Sequence, residues 1–171
     1  MEDQVLALSI GGERIAVPLA RVQSLVEVRE ITPAPRAPAH ILGLTAIRSQ
    51  ALTVIDPYVA LQLGDTDRRD ANAAAWQALV VEYDRCRYAL LIDSIDGVTD
   101  TVGEPAVVNA PMQPGWKHAG IGQIETADGV MLLVDPAAII AGMADNSAHG
   151  DSLQNNSTAP RRTKDTAKDS A

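Results

Sequence analysis

The chain has 171 residues, 46% of them hydrophobic, a length that supports one domain or two small lobes with a buried core. Its formal net charge of -8 repels phosphate groups and anionic lipids, so nucleic acid and membrane surfaces are not expected as partners. The single cysteine, Cys86, excludes an internal disulfide, and the acidic start lacks the pattern of a secretory signal, so we expect a cytoplasmic protein.

Short apolar segments bounded by turn residues predict a chain built mostly of β-strands. In chain order they are QVLALSI (4–10), ERIAVPL (13–19), GLTAIR (43–48), ALTVID (51–56), WQALVVEY (76–83), RYALLID (87–93) and GVMLLVD (129–135). Short helical turns are predicted around residues 20–24, 57–61 and 136–142. Pro57 and Pro136 each follow an aspartate, which is the order of an N-cap and a first helical residue. The predicted fold class is all-β.

Two connections and a tail divide the chain. The prolines of ITPAPRAPAH force an extended connection, and GDTDRRDANAAA is a second joint of low complexity. Residues 144–171 contain one large aliphatic side chain, Leu153, and cannot bury enough apolar surface to offset the entropy of ordering. We therefore predict a folded domain at 1–143, with one lobe at roughly 1–67 and the other at roughly 72–143, followed by a disordered tail.

Three segments recur in the same order in both halves of the chain. LALSIGGERIAV (6–17) aligns without a gap with LVVEYDRCRYAL (79–90). Further along, GLTAI is echoed by GIGQI, and TVIDPYVAL is echoed by LLVDPAAII. One such match between apolar strands is weak, but three in the same order indicate two similar β lobes. Small β lobes usually close into barrels, which removes their sheet edges.

The first hairpin and its surroundings resemble the CheW-like coupling proteins of bacterial chemotaxis. In that family a Pro-rich connection leads into a Gly-x-x-Asn-Leu-Arg-Gly hairpin and a Val-Ile-Asp segment; here residues 43–49 read GLTAIRS, and VID follows at 54–56. The family's Leu-Leu-Val-Asp strand stands here as LLID at 90–93. The resemblance covers roughly Gln4 to Gly142. It implies two intertwined five-stranded, SH3-like β-barrels without an active site or cofactor.

The same resemblance implies a function. Proteins of this family are adaptors that bridge a CheA-type histidine kinase to the signalling tips of chemoreceptors. Arg48 matches the family arginine that contacts the receptor, and it is the one charged residue between Ile41 and Asp56. A lone hairpin arginine is usually solvated, but the rigid guanidinium fork suits carboxylates and helix carbonyls at interfaces. We therefore expect Arg48 to bind the receptor.

Neighbouring positions complete the predicted sites. Ala46 and Ser49 replace the family's Asn and Gly, which removes a side chain that can brace the hairpin and makes a positive-φ turn more costly. The resemblance implies a receptor-binding set of Arg48, Ala46, Ser49, Val22, Gln23 and Leu25. It implies a kinase-binding surface on the other lobe, which we place on an exposed edge formed by Trp76, Leu79 and Val81.

Other functions stay open at this level. The departures at Ala46 and Ser49 leave open a CheW-like scaffold in a non-motility chemosensory pathway. A small-ligand-binding β module would need a deep apolar pocket between the lobes, and an enzyme would need convergent polar residues there. His40, His118 and His149 are scattered, and DTDRRD lacks the central glycine and distant glutamate of a calcium loop. We expect no catalytic residues and no metal site.

Overall fold

The structure is a computed structural model that describes residues 4–64 and 74–143. Its strands are β1 (Gln4–Ile10), β2 (Glu13–Pro18), β3 (Val22–Val28), β4 (Ile41–Ile47), β5 (Gln50–Ile55), β6 (Trp76–Tyr83), β7 (Cys86–Ile92), β8 (Ser94–Ala106), β9 (Gly120–Thr126) and β10 (Gly129–Val134). Its helices are α1 (Pro57–Ala60), α2 (Pro114–Ala119) and α3 (Pro136–Ala141). None of these helices has both the length and the apolar character needed to cross a membrane. The tail predicted at 144–171 lies outside the described residues.

The seven strand segments predicted from the sequence are all strands, with ends that differ by at most two residues. The helical turn expected around residues 20–24 is wrong. The chain makes a 3-10 turn at Leu19–Arg21 and then enters β3, which pairs with β6. Neither β8 nor α2 was predicted, and β8 carries few apolar residues because most of its side chains are exposed.

The strands form two five-stranded units. One is a closed barrel in the order β1-β2-β10-β9-β8, and the other is a sheet in the order β3-β6-β7-β5-β4. Each unit contains one parallel pair, β2 with β10 in the barrel and β5 with β7 in the sheet. The predicted all-β fold of two intertwined five-stranded lobes is confirmed; of the two predicted barrels, one is closed, and the other is a five-stranded sheet whose terminal strands are not paired among the described residues.

The intertwining is an exchange of hairpins between the halves of the chain. The hairpin β1–β2 packs beside β10 and β9, whereas its counterpart in the sequence repeat, β6–β7, packs beside β5 and β4. The halves 1–67 and 72–143 therefore each supply strands to both units. A lobe boundary in the middle of the chain does not coincide with the boundary between the units, because the hairpins pair with partners distant in sequence.

Three apolar clusters stack through the molecule. The largest lies between the two units and includes Leu8 of β1, Leu79 of β6 and Leu90 of β7. The barrel encloses a second cluster, and the sheet covers a third that includes Val54 and Val80. Because successive side chains of a strand point to opposite faces, β1 and β6 are buried on both faces and consist of apolar runs. Aliphatic side chains of both units thus pack together in the largest of these clusters.

Asp56 and Asp135 cap the helices that follow the last strand of each repeat. A carboxylate oxygen of Asp56 accepts a hydrogen bond from the backbone N–H of Tyr58 at 3.0 Å, and Asp135 accepts one from Ala137 at 3.0 Å. Both helices begin with proline, whose missing N–H is no loss in the first turn. The predicted Asp-Pro caps are confirmed.

We expect Asp135→Ala to lower the free energy of unfolding by about 1 kcal/mol, the usual cost of losing an N-cap oxygen. Asp56→Ala should cost at least as much, because Asp56 is buried. Urea unfolding followed by circular dichroism measures both effects. Asp135→Asn, which keeps an acceptor at the cap, is the matched control and should unfold close to the wild type. If both alanine variants unfold at the wild-type urea concentration, the caps do not stabilise the fold.

Candidate functional site

The β4–β5 hairpin turns through Arg48 and Ser49, between the paired residues Ile47 and Gln50. Both turn residues have positive φ, 50° at Arg48 and 65° at Ser49. Left-handed backbone at both central positions is typical of a type I′ turn, whose twist matches that of the flanking strands. The turn holds the Arg48 side chain at the exposed end of the hairpin. Ser49 therefore occupies a conformation that glycine adopts more easily.

Ser49→Gly should raise the free energy of unfolding by about 0.5 kcal/mol. Left-handed backbone costs an L-residue roughly 1–2 kcal/mol, and the larger entropy of glycine in the unfolded chain offsets part of the gain. Gln50→Gly, one residue further and within β5, is the control and should destabilise. Thermal unfolding of both variants measures the difference. A Ser49→Gly protein that melts below the wild type would contradict this account of the turn.

A groove lies where the second sheet is open, between its terminal strands β3 and β4. In the barrel, β8 and β9 take the places that β3 and β4 take in the sheet, and they are hydrogen-bonded to each other. No ladder joins β3 to β4 in the part of the chain that the structure describes. We call this opening the seam groove, and its volume is about 130 Å³. Its apolar floor is formed by Val26, Ile47, Leu52 and Val80. Its exposed rim is formed by Gln23, Ser24, Leu25, Arg48, Gln50 and Arg87.

The seam groove brings together three of the six residues predicted to bind the receptor: Gln23, Leu25 and Arg48. Leu25 is 47% exposed and leaves apolar surface in contact with water at the rim of the groove. Val22 instead packs against the core between the units. Ala46 and Ser49 are exposed on the β4–β5 hairpin, but neither lines the groove.

Cations dominate the charge at the rim. Across the described residues, no ion pair connects Arg48 or Arg87 to a carboxylate. Arg87 donates a hydrogen bond from Nη1 to Oε1 of Gln50, a neutral side chain. The neighbouring carboxylate of Glu82 accepts a hydrogen bond from Nε2 of Gln23 at 2.9 Å. The groove therefore presents two guanidinium groups above an apolar floor.

Sequence reasoning missed Arg87 and Gln50 as groove residues. They are 37 positions apart, and the parallel pairing of β5 with β7 brings them together. No local pattern marks Arg87, which follows a turn in an ordinary hairpin. The next residue, Tyr88, packs partly against the core, and desolvation by burial raises the pKa of its phenol, with smaller contributions from Cys86 and Asp84.

The residues predicted to bind the kinase are not on an exposed edge. β6 lies inside the sheet, paired with β3 on one side and β7 on the other. Leu79 is 0% exposed and Val81 is 2% exposed, and both belong to the core between the units. Trp76 is half-buried, and its indole N–H is buried without a hydrogen-bond partner among the described residues. The prediction of an exposed edge at Trp76–Val81 is therefore wrong.

Other titratable side chains have structural contacts. Asp93 accepts hydrogen bonds from the Tyr58 hydroxyl at 2.8 Å and from the backbone N–H of Gly11 at 2.7 Å. Asp96 pairs with Arg14 at 2.6 Å. Nε2 of His40 lies 3.0 Å from the carbonyl oxygen of Ile140. Within residues 4–64 and 74–143, no group of three such side chains is arranged to hold a metal ion.

The chain matches one protein-family model, that of the CheW-like domain, over residues 4–143. It is 21% identical over 92 residues to the chemotaxis protein CheW of Treponema pallidum (strain Nichols). That alignment covers 54% of this chain and 54% of the relative, so the chain spans about half the length of the curated relative it matches.

A solved structure has the same fold. The crystal structure of the scaffolding protein TtCheW from Thermoanaerobacter tengcongensis superimposes with a TM-score of 0.66 at 18% sequence identity. The superposition covers 81% of this chain and 92% of that chain. At this identity the likeness establishes the shared arrangement of strands.

Proposed function

Because this chain belongs to the CheW-like domain family, we propose that it is a non-catalytic adaptor that couples a CheA-type histidine kinase to the signalling tips of chemoreceptors in the cytoplasm. Two relatives support this reading by their descriptions. The Treponema pallidum relative is a chemotaxis protein, and TtCheW is a scaffolding protein. An adaptor needs separate surfaces for its partners and does not need a reaction centre.

The observation that carries the proposal is the seam groove. Gln23 and Leu25 on β3 and Arg48 on the β4–β5 hairpin are far apart in sequence, yet they line one opening. The opening combines exposed apolar surface with a cation that has no ion-pair partner among the described residues. A receptor helix can offer apolar side chains to the floor and a carboxylate or carbonyl group to Arg48. This combination suits recognition of a protein surface.

The kinase contact uses a different surface in this proposal. Leu79 and Val81 are buried in the folded chain, so they cannot meet a partner without unfolding of the sheet. Of the predicted set, Trp76 alone is partly accessible. A kinase-binding surface therefore has to include residues that the sequence prediction did not name.

Binding measurements with the two partners test the proposal. The purified chain is titrated with the CheA-type kinase and, separately, with a cytoplasmic chemoreceptor fragment, both from the same genome. We expect a complex with each partner, a ternary complex by sedimentation, and receptor-dependent kinase activity that requires the chain. If the chain binds neither the kinase nor any receptor fragment of that genome, it is not a coupling adaptor.

A further inference from the structure

Arg87 has an arrangement that its strand pairing does not explain. In the β6–β7 ladder it lies directly opposite Glu82, and opposite charges at such positions usually pair across the strands. Here the two side chains diverge. Arg87 donates to Gln50 on β5, and Glu82 accepts from Gln23 on β3. The guanidinium group of Arg87 is therefore held at the rim of the seam groove by a neutral side chain, while its natural counter-charge is engaged elsewhere.

Arg48 stands at the same rim, so the groove collects two cations on a chain whose net charge is -8. Two like charges at one small opening repel each other. Neither arginine forms an ion pair within the residues that the structure describes. An anionic partner would relieve the repulsion and use the charge of both side chains. Charge complementarity thus identifies carboxylates as the groups that the rim is suited to bind.

The floor indicates what lies between those carboxylates. Leu52 and Val80 are almost fully buried, and the groove exposes the small remaining part of the apolar cluster under the sheet. A volume of about 130 Å³ admits a side chain and is too small for a helix. The occupant therefore inserts one apolar side chain and remains outside with its backbone.

We infer that Arg87 is a second specificity-determining cation of the receptor site, and that the seam groove takes an apolar side chain flanked by two carboxylates on a receptor helix, one for Arg48 and one for Arg87. This inference rests on the proposed function, because it takes the occupant from the receptor. It adds a residue from β7 that the hairpin motif does not contain. It also predicts the charge pattern of the receptor segment, acidic on both sides of an apolar anchor.

The test is titration of the cytoplasmic receptor fragment with the full chain and with Arg48→Gln, Arg87→Gln and the double variant. Arg85→Gln is the matched control, since Arg85 is an exposed arginine in the β6–β7 turn that does not line the groove. We expect Arg87→Gln to weaken receptor binding roughly tenfold, as for loss of a close interfacial charge pair, and Arg85→Gln to stay within about twofold. The salt dependence of the affinity should become shallower for Arg87→Gln.

The outcomes separate the inference from the function. If the wild-type chain binds the receptor fragment and Arg87→Gln binds as well as Arg85→Gln, the inference is wrong and the adaptor function stands. If the wild-type chain does not bind the fragment, the inference and the adaptor function are both wrong. If the fold-losses in affinity of the two single variants multiply in the double variant, the two arginines bind separate carboxylates. If they do not multiply, the assignment of two separate carboxylates is wrong. Equal weakening of kinase binding by Arg87→Gln would also overturn the inference, because the effect would not be specific to the receptor.

Discussion

Gly115→Ala should lower the free energy of unfolding by about 3 kcal/mol, the upper end of the usual cost of overpacking a buried site. An added Cβ would lie 1.9 Å from the carbonyl oxygen of Leu61 and 2.7 Å from its carbonyl carbon. These are backbone atoms, and Leu61 itself is 0% exposed, so neither side of the contact can move away cheaply. The contact brings α2 directly against the end of α1, and the variant should disturb both.

Gly103→Ala is the control for this change. Gly103 also lies in the second half of the chain, but a Cβ there would meet nothing within 4 Å. Its φ of +75° makes alanine unfavourable by about 1 kcal/mol for conformational reasons alone. Urea unfolding of both variants distinguishes a steric clash from a backbone preference. Similar losses at the two positions would show that the close approach of α2 to Leu61 does not matter.

Arg48→Glu should weaken receptor binding by about 2–5 kcal/mol, the range for breaking a buried interfacial charge pair. The reversal places a carboxylate where the proposed function requires a cation, so it adds repulsion to the loss of the contact. The fold should remain intact, because a substitution at an exposed turn usually changes stability by less than about 0.5 kcal/mol. Kinase affinity should stay near the wild-type value, since the proposed function gives the kinase a separate surface. Separate titrations against each partner measure the two effects.

Arg36→Glu is the matched control for the charge reversal. Arg36 is exposed and has a φ of 61°, close to the 50° of Arg48, but it lies in the Pro-rich connection and does not line the groove. It should leave receptor binding unchanged. If Arg48→Glu binds the receptor like the wild type, Arg48 is a solvated turn residue. If both partners bind more weakly, circular dichroism will show whether the variant is misfolded or whether the two surfaces overlap.

Local sequence was sufficient for most strands and for both aspartate caps. A cap hydrogen bond spans two residues, and a half-buried strand leaves its alternation in the sequence. The strand β8 was not predicted because most of its side chains are exposed and do not alternate between apolar and polar residues in a clear pattern. Its position is fixed by pairing with β1 and β9. Its position thus depends on partners that are distant along the chain.

Arg48 could be proposed from the sequence because its hairpin is a local motif and a family resemblance assigns it a role. Tertiary structure alone decided which side chains surround it. Only the order of the strands shows that β6 is an interior strand, which buries Leu79 and Val81, and that β7 lies beside β5, which brings Arg87 to the groove. The physical reason is that strand pairing is non-local. A hairpin specifies its own turn and register, but the neighbour on its other edge is selected by how the whole chain buries its apolar faces.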